Sequence, residues 1–178
     1  ADGIDVDRAA VLAEAAAGSL SRARLLVDDP ALHGRRNAWH SVPSRLDGSG
    51  AAVAVLVEEL RAMIDDAQAP LVARHEVELE ALAEREEAFG TRGSGRRELV
   101  DRQRREVRRL RDDELRFGLA TISRVYRDAA RAASEAGQPV DSAMDATARI
   151  TGATGELVRN PNETLLLQAL LLDLPTAG

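Results

Sequence analysis

Between Val53 and Ala133 an apolar residue recurs every three or four positions over two long stretches, separated by Gly90-Thr91-Arg92-Gly93-Ser94-Gly95. That spacing gathers the apolar side chains of each stretch onto one stripe of an α-helix, and the glycine-rich break lets two helices run antiparallel. The first stripe is Val53, Leu56, Val57, Leu60, Met63, Ile64, Ala67 and Leu71, resuming at Leu79, Leu82 and Phe89. Pro70 is expected to kink or break this helix near its middle. The second helix is expected from about Arg97 to Ala133, with its stripe clearest at Leu115, Leu119, Ile122, Tyr126, Ala129 and Ala133.

Little in the sequence favours strands. The aromatic residues are Trp39, Phe89, Phe117 and Tyr126 only, whereas Ala and Leu dominate, so the expected class is all-α. A chain of 178 residues can bury a core of ordinary size, as one domain or two small ones.

Three punctuated segments flank the long helices. In residues 1–29, Asp7 can cap a helix through Val11, Leu12, Ala15 and Ala16 that ends at Gly18, and Ser19 can start a second with Ala23, Leu26 and Val27. Asp29-Pro30 then opens a short helix toward His40 that carries Trp39. Ser41 to Gly50 has a linker composition, so the expected division is 1–29, a short helix and linker at 30–50, and a helical domain at 51–178. Gly137-Gln138-Pro139 stops the second long helix. Asp141 or Ser142 should cap a weaker one with Met144, Ala148, Thr151 and Val158, and Asn160-Pro161 should open a last helix through Leu174. About four or five helices in a compact bundle follow.

Chemistry is constrained by what is missing. With no cysteine, disulfides, zinc-thiolate sites and thiol nucleophiles are excluded, and His33, His40 and His75 offer little for a metal centre. Adjacent carboxylates such as Glu58-Glu59, Asp65-Asp66 and Asp112-Asp113 diverge by about 100° on a helix and make no acid/base pair. Gly93-Ser94-Gly95 lacks the strand and the Lys-Ser/Thr of a phosphate loop. No catalytic residue, cofactor or metal is therefore expected, nor a small-molecule substrate. The longest leucine cluster is half a membrane span, and the start carries no signal-peptide pattern, so a cytoplasmic chain is expected. The absence of an initial Met leads to the expectation of a piece of something longer.

Two features stand out against this plain background. Although the net charge is −6, Arg96 to Arg111 carries eight arginines against Glu98, Asp101 and Glu106. This segment is expected to be a solvated face laced by Glu98–Arg102, Asp101–Arg105, Arg108–Asp112 and Arg109–Asp113 pairs. The competing reading puts phosphate on Arg104, Arg105, Arg108 and Arg109. The second feature is Leu165 to Leu174, with seven leucines on nearly every side of one helix. Such a helix is a core element, a subunit contact, or both, and the interface candidates are Leu166, Leu167, Leu170, Leu171 and Leu174.

The order of parts resembles a known family. Gly18-Ser19-Leu20-Ser21-Arg22-Ala23-Arg24-Leu25-Leu26 is similar to the stretch that closes the helical lid of AAA+ clamp-loader subunits. Arg104 to Asp112, Val125-Tyr126-Arg127-Asp128, Asn160-Pro161-Asn162 and the leucine-rich end then follow in the order of the delta-prime family of bacterial DNA polymerase III, in its high-GC Gram-positive form. The resemblance implies the end of a lid at 1–29 and a helical collar domain at 51–178. It implies a non-catalytic assembly role, with the gamma/tau motor subunits and delta as partners and DNA met only indirectly. Ser21 stands where the ATP-hydrolysing relatives place a sensor arginine, which fits a subunit that does not hydrolyse ATP. The resemblance also implies that the zinc module and the Ser-Arg-Cys segment lie upstream. From a different class, a helical nucleic-acid-binding domain using Arg96 to Arg111 and a helical ligand-binding regulator domain are the alternatives.

Overall fold

The computed structural model describes residues 31–90 and 95–176, with residues 5, 6, 9, 10, 12, 13, 23 and 27 before them. The described residues form five α-helices and no strand: α1 (Leu32–Arg45), α2 (Gly50–Phe89), α3 (Arg96–Glu135), α4 (Asp141–Glu156) and α5 (Glu163–Asp173), with a 3-10 turn at Leu157–Arg159. An all-α fold of this helix count is what the composition and periodicity call for. Most of the expected lid at 1–29, including Gly18, Ser19 and Ser21, lies outside the described residues. The chain divides into one compact unit of residues 1–61 and 116–178 and another of residues 62–115, so α2 and α3 each contribute to both.

In the first unit, α1 runs five residues further than a helix ending near His40, because Trp39, Val42, Pro43 and Leu46 are all buried. Burial at this helical spacing outweighs the linker-like composition, and Pro43 sits inside the helix. What remains of the linker is short. Asp47 Oδ1 accepts from Ser49 N (2.8 Å), and Ser49 Oγ accepts from Ala52 N (3.1 Å), which caps the start of α2. Val53, Leu56, Val57 and Leu60 then enter the core as the stripe requires.

The second half of α3 organises this unit. Leu119, Ile122, Tyr126 and Ala130 are buried along it, with Gly118 lying directly beneath the indole of Trp39 from α1. Its buried face ends on Ala130 where Ala129 and Ala133 were expected; Ala129 is exposed. Phe117 faces a separate small cluster with Leu12 and Leu32, against which Val27 packs. Arg116 Nη1 reaches Thr154 O of α4 at 3.4 Å, and the Tyr126 hydroxyl donates to Pro175 O at 2.7 Å. The helix closes as the glycine predicts. Gly137, at φ 68°, donates to Ser134 O while Gln138 N donates to Ala133 O, the paired bonds of a Schellman turn.

Three expectations for the C-terminal helices need correction. First, α4 starts at Asp141 without a side-chain cap from Asp141 or Ser142. Second, its buried face is Ala146, Ile150, Ala153 and, in the following turn, Leu157, while Met144, Ala148, Thr151 and Val158 are exposed. Both sets have helical spacing; the buried one pairs the larger Ile and Leu with two alanines that let α5 approach closely. Third, Asn160 is left-handed (φ 53°) and ends the 3-10 turn, and it is Asn162 whose Oδ1 accepts from Leu165 N (3.1 Å) to cap α5.

The unit of residues 62–115 is an antiparallel helix pair. Asp65 meets Arg111, Arg74 and His75 meet Glu106, and Glu78 meets Arg102 and Gln103, each step up α2 matched by a step down α3. The helix passes through Pro70 without ending. Two helices can shield only one face each, so Leu71, Leu79, Leu82, Leu99, Val107 and Leu110 are half-buried. Phe89, expected on the stripe, is 77% exposed.

Candidate functional site

Ordered polar chemistry in the described residues concentrates in the antiparallel pair. Glu106 of α3 is its hub: Oε2 lies 2.7 Å from Arg74 Nη2 and 3.0 Å from His75 Nε2, and Oε1 lies 3.6 Å from Arg102 Nε. Because a carboxylate only accepts, His75 must carry its proton on Nε2. One turn away, Glu78 Oε2 accepts from Arg102 Nη2 (2.7 Å) and Gln103 Nε2 (3.1 Å). The same Gln103 amide donates to the His75 carbonyl at 3.1 Å. The hydrogen bond from His75, with the charges of Arg74 and Arg102, holds the Glu106 carboxyl below its ordinary range. Glu78 is held low chiefly by Gln103.

This network is structural in character. The Oε2 atoms of Glu106 and Glu78 each take two donors, while their Oε1 atoms face guanidinium nitrogens at 3.6 and 3.8 Å, and the network fixes helix register where a two-helix core is too thin to do so alone. No group of three or more His, Asp or Glu among the described residues is placed to hold a metal ion. His33 and His40 are both exposed on α1. The sequence assigns no role to Arg74, Glu78 or Gln103, and Glu106 enters there only as a charge within the arginine-rich run. The available signal was their near-equal distance from the glycine-rich connection on two helices already expected to be antiparallel.

The expected pairs within α3 are not the ones that form. Asp101 touches Arg104 at 3.8 Å, and Arg102 reaches across to Glu78 instead of back to Glu98. Arg105, Arg108 and Arg109 are exposed and hold no ion pair among the described residues. A groove of about 410 Å³ lies against Gly95, Arg97, Glu98, Asp101 and Arg105, open to solvent, with two guanidiniums and two carboxylates on its wall.

The leucine-rich helix divides cleanly by burial. Leu167, Leu170, Leu171 and Leu174 are buried and Leu166 is half-buried, so these five lie in or at the edge of the unit's core. The outward face of α5 is instead Leu165, Ala169 and Leu172, at positions i, i+4 and i+7, with the two leucines 63% and 53% exposed. Searches against protein families, curated proteins and solved structures find no match to this chain. No helix among the described residues is long and apolar enough to cross a membrane.

Proposed function

We propose that this chain is a non-catalytic assembly module, the helical collar region of a clamp-loader subunit of the delta-prime kind. In this reading it holds a hetero-oligomer that places a sliding clamp on DNA during replication. The observation that carries the assembly reading is the outward face of α5. A helix already anchored by three buried leucines, with a fourth, Leu174, just past its end, presents Leu165, Ala169 and Leu172 to solvent. A monomer gains nothing from that face, whereas a partner helix would cover it.

The specific partners rest on the order of motifs along the sequence: Gly18 to Leu26, Arg104 to Asp112, Val125 to Asp128, and Asn160 to Asn162 ahead of the leucines. Asn162 supports the last of these in a physical way, since its side chain sets where α5 begins and hence which leucines face out. A stable interface buries about 1,200 Å² or more in total, so the α5 face acts as an anchor within a larger contact. Exposed arginines and carboxylates around it, such as Arg149 and Asp173 (3.0 Å apart), would select neighbours.

The test mixes the full chain with a motor subunit and delta and measures mass by light scattering. A hetero-oligomer is expected, lost on Leu165→Glu with Leu172→Glu while circular dichroism stays unchanged. Failure of the unsubstituted chain to associate at low and moderate salt overturns the reading.

A further inference from the structure

The antiparallel pair treats its arginines in two ways. Arg74, Arg102 and Arg111 are tied across the pair to Glu106, Glu78 and Asp65. Arg104, Arg105, Arg108 and Arg109 point away from it; Arg104 is 77% exposed with one long contact to Asp101, and the other three are exposed without ion pairs among the described residues. Glu106, the carboxylate inside this run, is turned inward onto His75, so the outer surface from Arg104 to Arg109 carries no carboxylate of its own and meets Asp101 only at its edge. From these observations we infer that the outer face of α3 at Arg104, Arg105, Arg108 and Arg109 binds the phosphate backbone of duplex DNA.

Geometry selects this occupant. Positions i, i+1, i+4 and i+5 cover about 140° of the helix surface and about 7.5 Å of its length. That is enough for phosphates on both walls of a groove. An α-helix is about 10–12 Å across, close to the roughly 12 Å of the B-form major groove, while the major groove of duplex RNA is too narrow to admit it. No aromatic residue lies in Arg96 to Arg111 to stack on unpaired bases, which disfavours single strands. The guanidinium forks suit phosphate oxygens.

Charge on the other helix sets the orientation. Glu76, Glu80, Glu84 and Glu87 are exposed along α2, so the pair is acidic on one helix and basic on the other. A polyanion is repelled from α2 and drawn to α3. Asp101 on one side and Asp112 and Asp113 on the other bound the basic face, limiting it to about four phosphate contacts. Binding is therefore sequence-independent and steeply salt-sensitive.

The test uses the full chain and a fluorescently labelled duplex of about 20 base pairs in an anisotropy titration. Four contacts give a slope of about −3.6 in log affinity against log salt, a loss of roughly 150-fold between about 50 and 200 mM salt. R104A/R105A/R108A/R109A should lower affinity at least tenfold at the lower salt and flatten the slope, with unchanged circular dichroism. The four-fold Arg→Lys variant should retain most of the binding, and Arg131→Ala with Arg159→Ala should leave it intact. Absence of binding at low salt, binding unchanged in the Ala variant, or equal affinity for duplex RNA or polyglutamate overturns the inference.

Discussion

A single methyl group added at Gly118 should destabilise the unit built around α3, against the usual effect of such a change. Gly118 is a buried, helical position, where Gly→Ala ordinarily gains about 1 kcal/mol in helix propensity. Here a Cβ would overlap Cε2, Cδ2 and Cζ2 of Trp39, and Trp39 is fully buried, so the ring cannot swing into solvent. Overpacking of a closed core costs about 1–3 kcal/mol or more, and overlap with three ring atoms places this case at the upper end. The net expectation for Gly118→Ala is a loss of about 2 kcal/mol. Removing the ring with Trp39→Leu should reverse the sign, leaving Gly118→Ala stabilising by up to about 1 kcal/mol in that background. Urea unfolding followed by far-ultraviolet circular dichroism reads both, and Trp39, the sole tryptophan, reports the single variant by fluorescence. A neutral or higher urea midpoint for Gly118→Ala alone, or additive effects in the double variant, refutes the packing argument.

Two further expectations concern protons. Burial pushes the Tyr126 phenol up to about 12, so this single tyrosine should stay protonated through pH 10 in the folded chain. The unfolded chain releases that proton at its ordinary 10.0, so stability falls as pH rises from about 10 to about 12. Absorbance at 295 nm during alkaline titration checks it, and a native transition near 10 refutes it. For Glu106 the sign is opposite. Its lowered carboxyl stabilises the fold above its ordinary 4.5, and that contribution is lost as pH falls through the folded value. Thermal melting between pH 6 and 3 should therefore fall less steeply for Glu106→Gln than for the unsubstituted chain, and parallel curves would contradict the network.

The helices themselves were legible because their signals are local: the Val53–Leu60 stripe, the Gly137 stop and the glycines near residue 90 act within a few residues. What escaped depends on which of two equivalent choices the tertiary structure makes. Helix α4 carries apolar residues at helical spacing on two faces, and the approach of α5 buries Ile150 and Leu157 while leaving Met144 and Val158 outside. Likewise Arg102 could satisfy Glu98 within its own helix or Glu78 across the pair, and only the presence of α2 decides. The leucine-rich helix was recognisable as unusual, but seven leucines on all sides give no phase. Its outward face followed only once Asn162 had fixed the first turn. The basic run was plain in the sequence; that Arg105, Arg108 and Arg109 form no ion pair among the described residues was not.

The mirror register of α2 and α3 also makes length a separable property. Because each contact on one helix is matched at the same remove from the tip on the other, residues can be taken from both arms beside Gly90 and Gly95 without displacing Glu106 from His75 or Glu78 from Arg102. Removal from one arm alone would misalign every rung beyond the cut. Two heptads, one per arm, are the natural unit of such change, since seven residues return each helix to nearly the same face. Insertions and deletions tolerated along the arms should therefore come as matched pairs, and a lone one at the base of one arm, before Glu78 on α2 or after Arg102 on α3, should cost the polar contacts on its tip side.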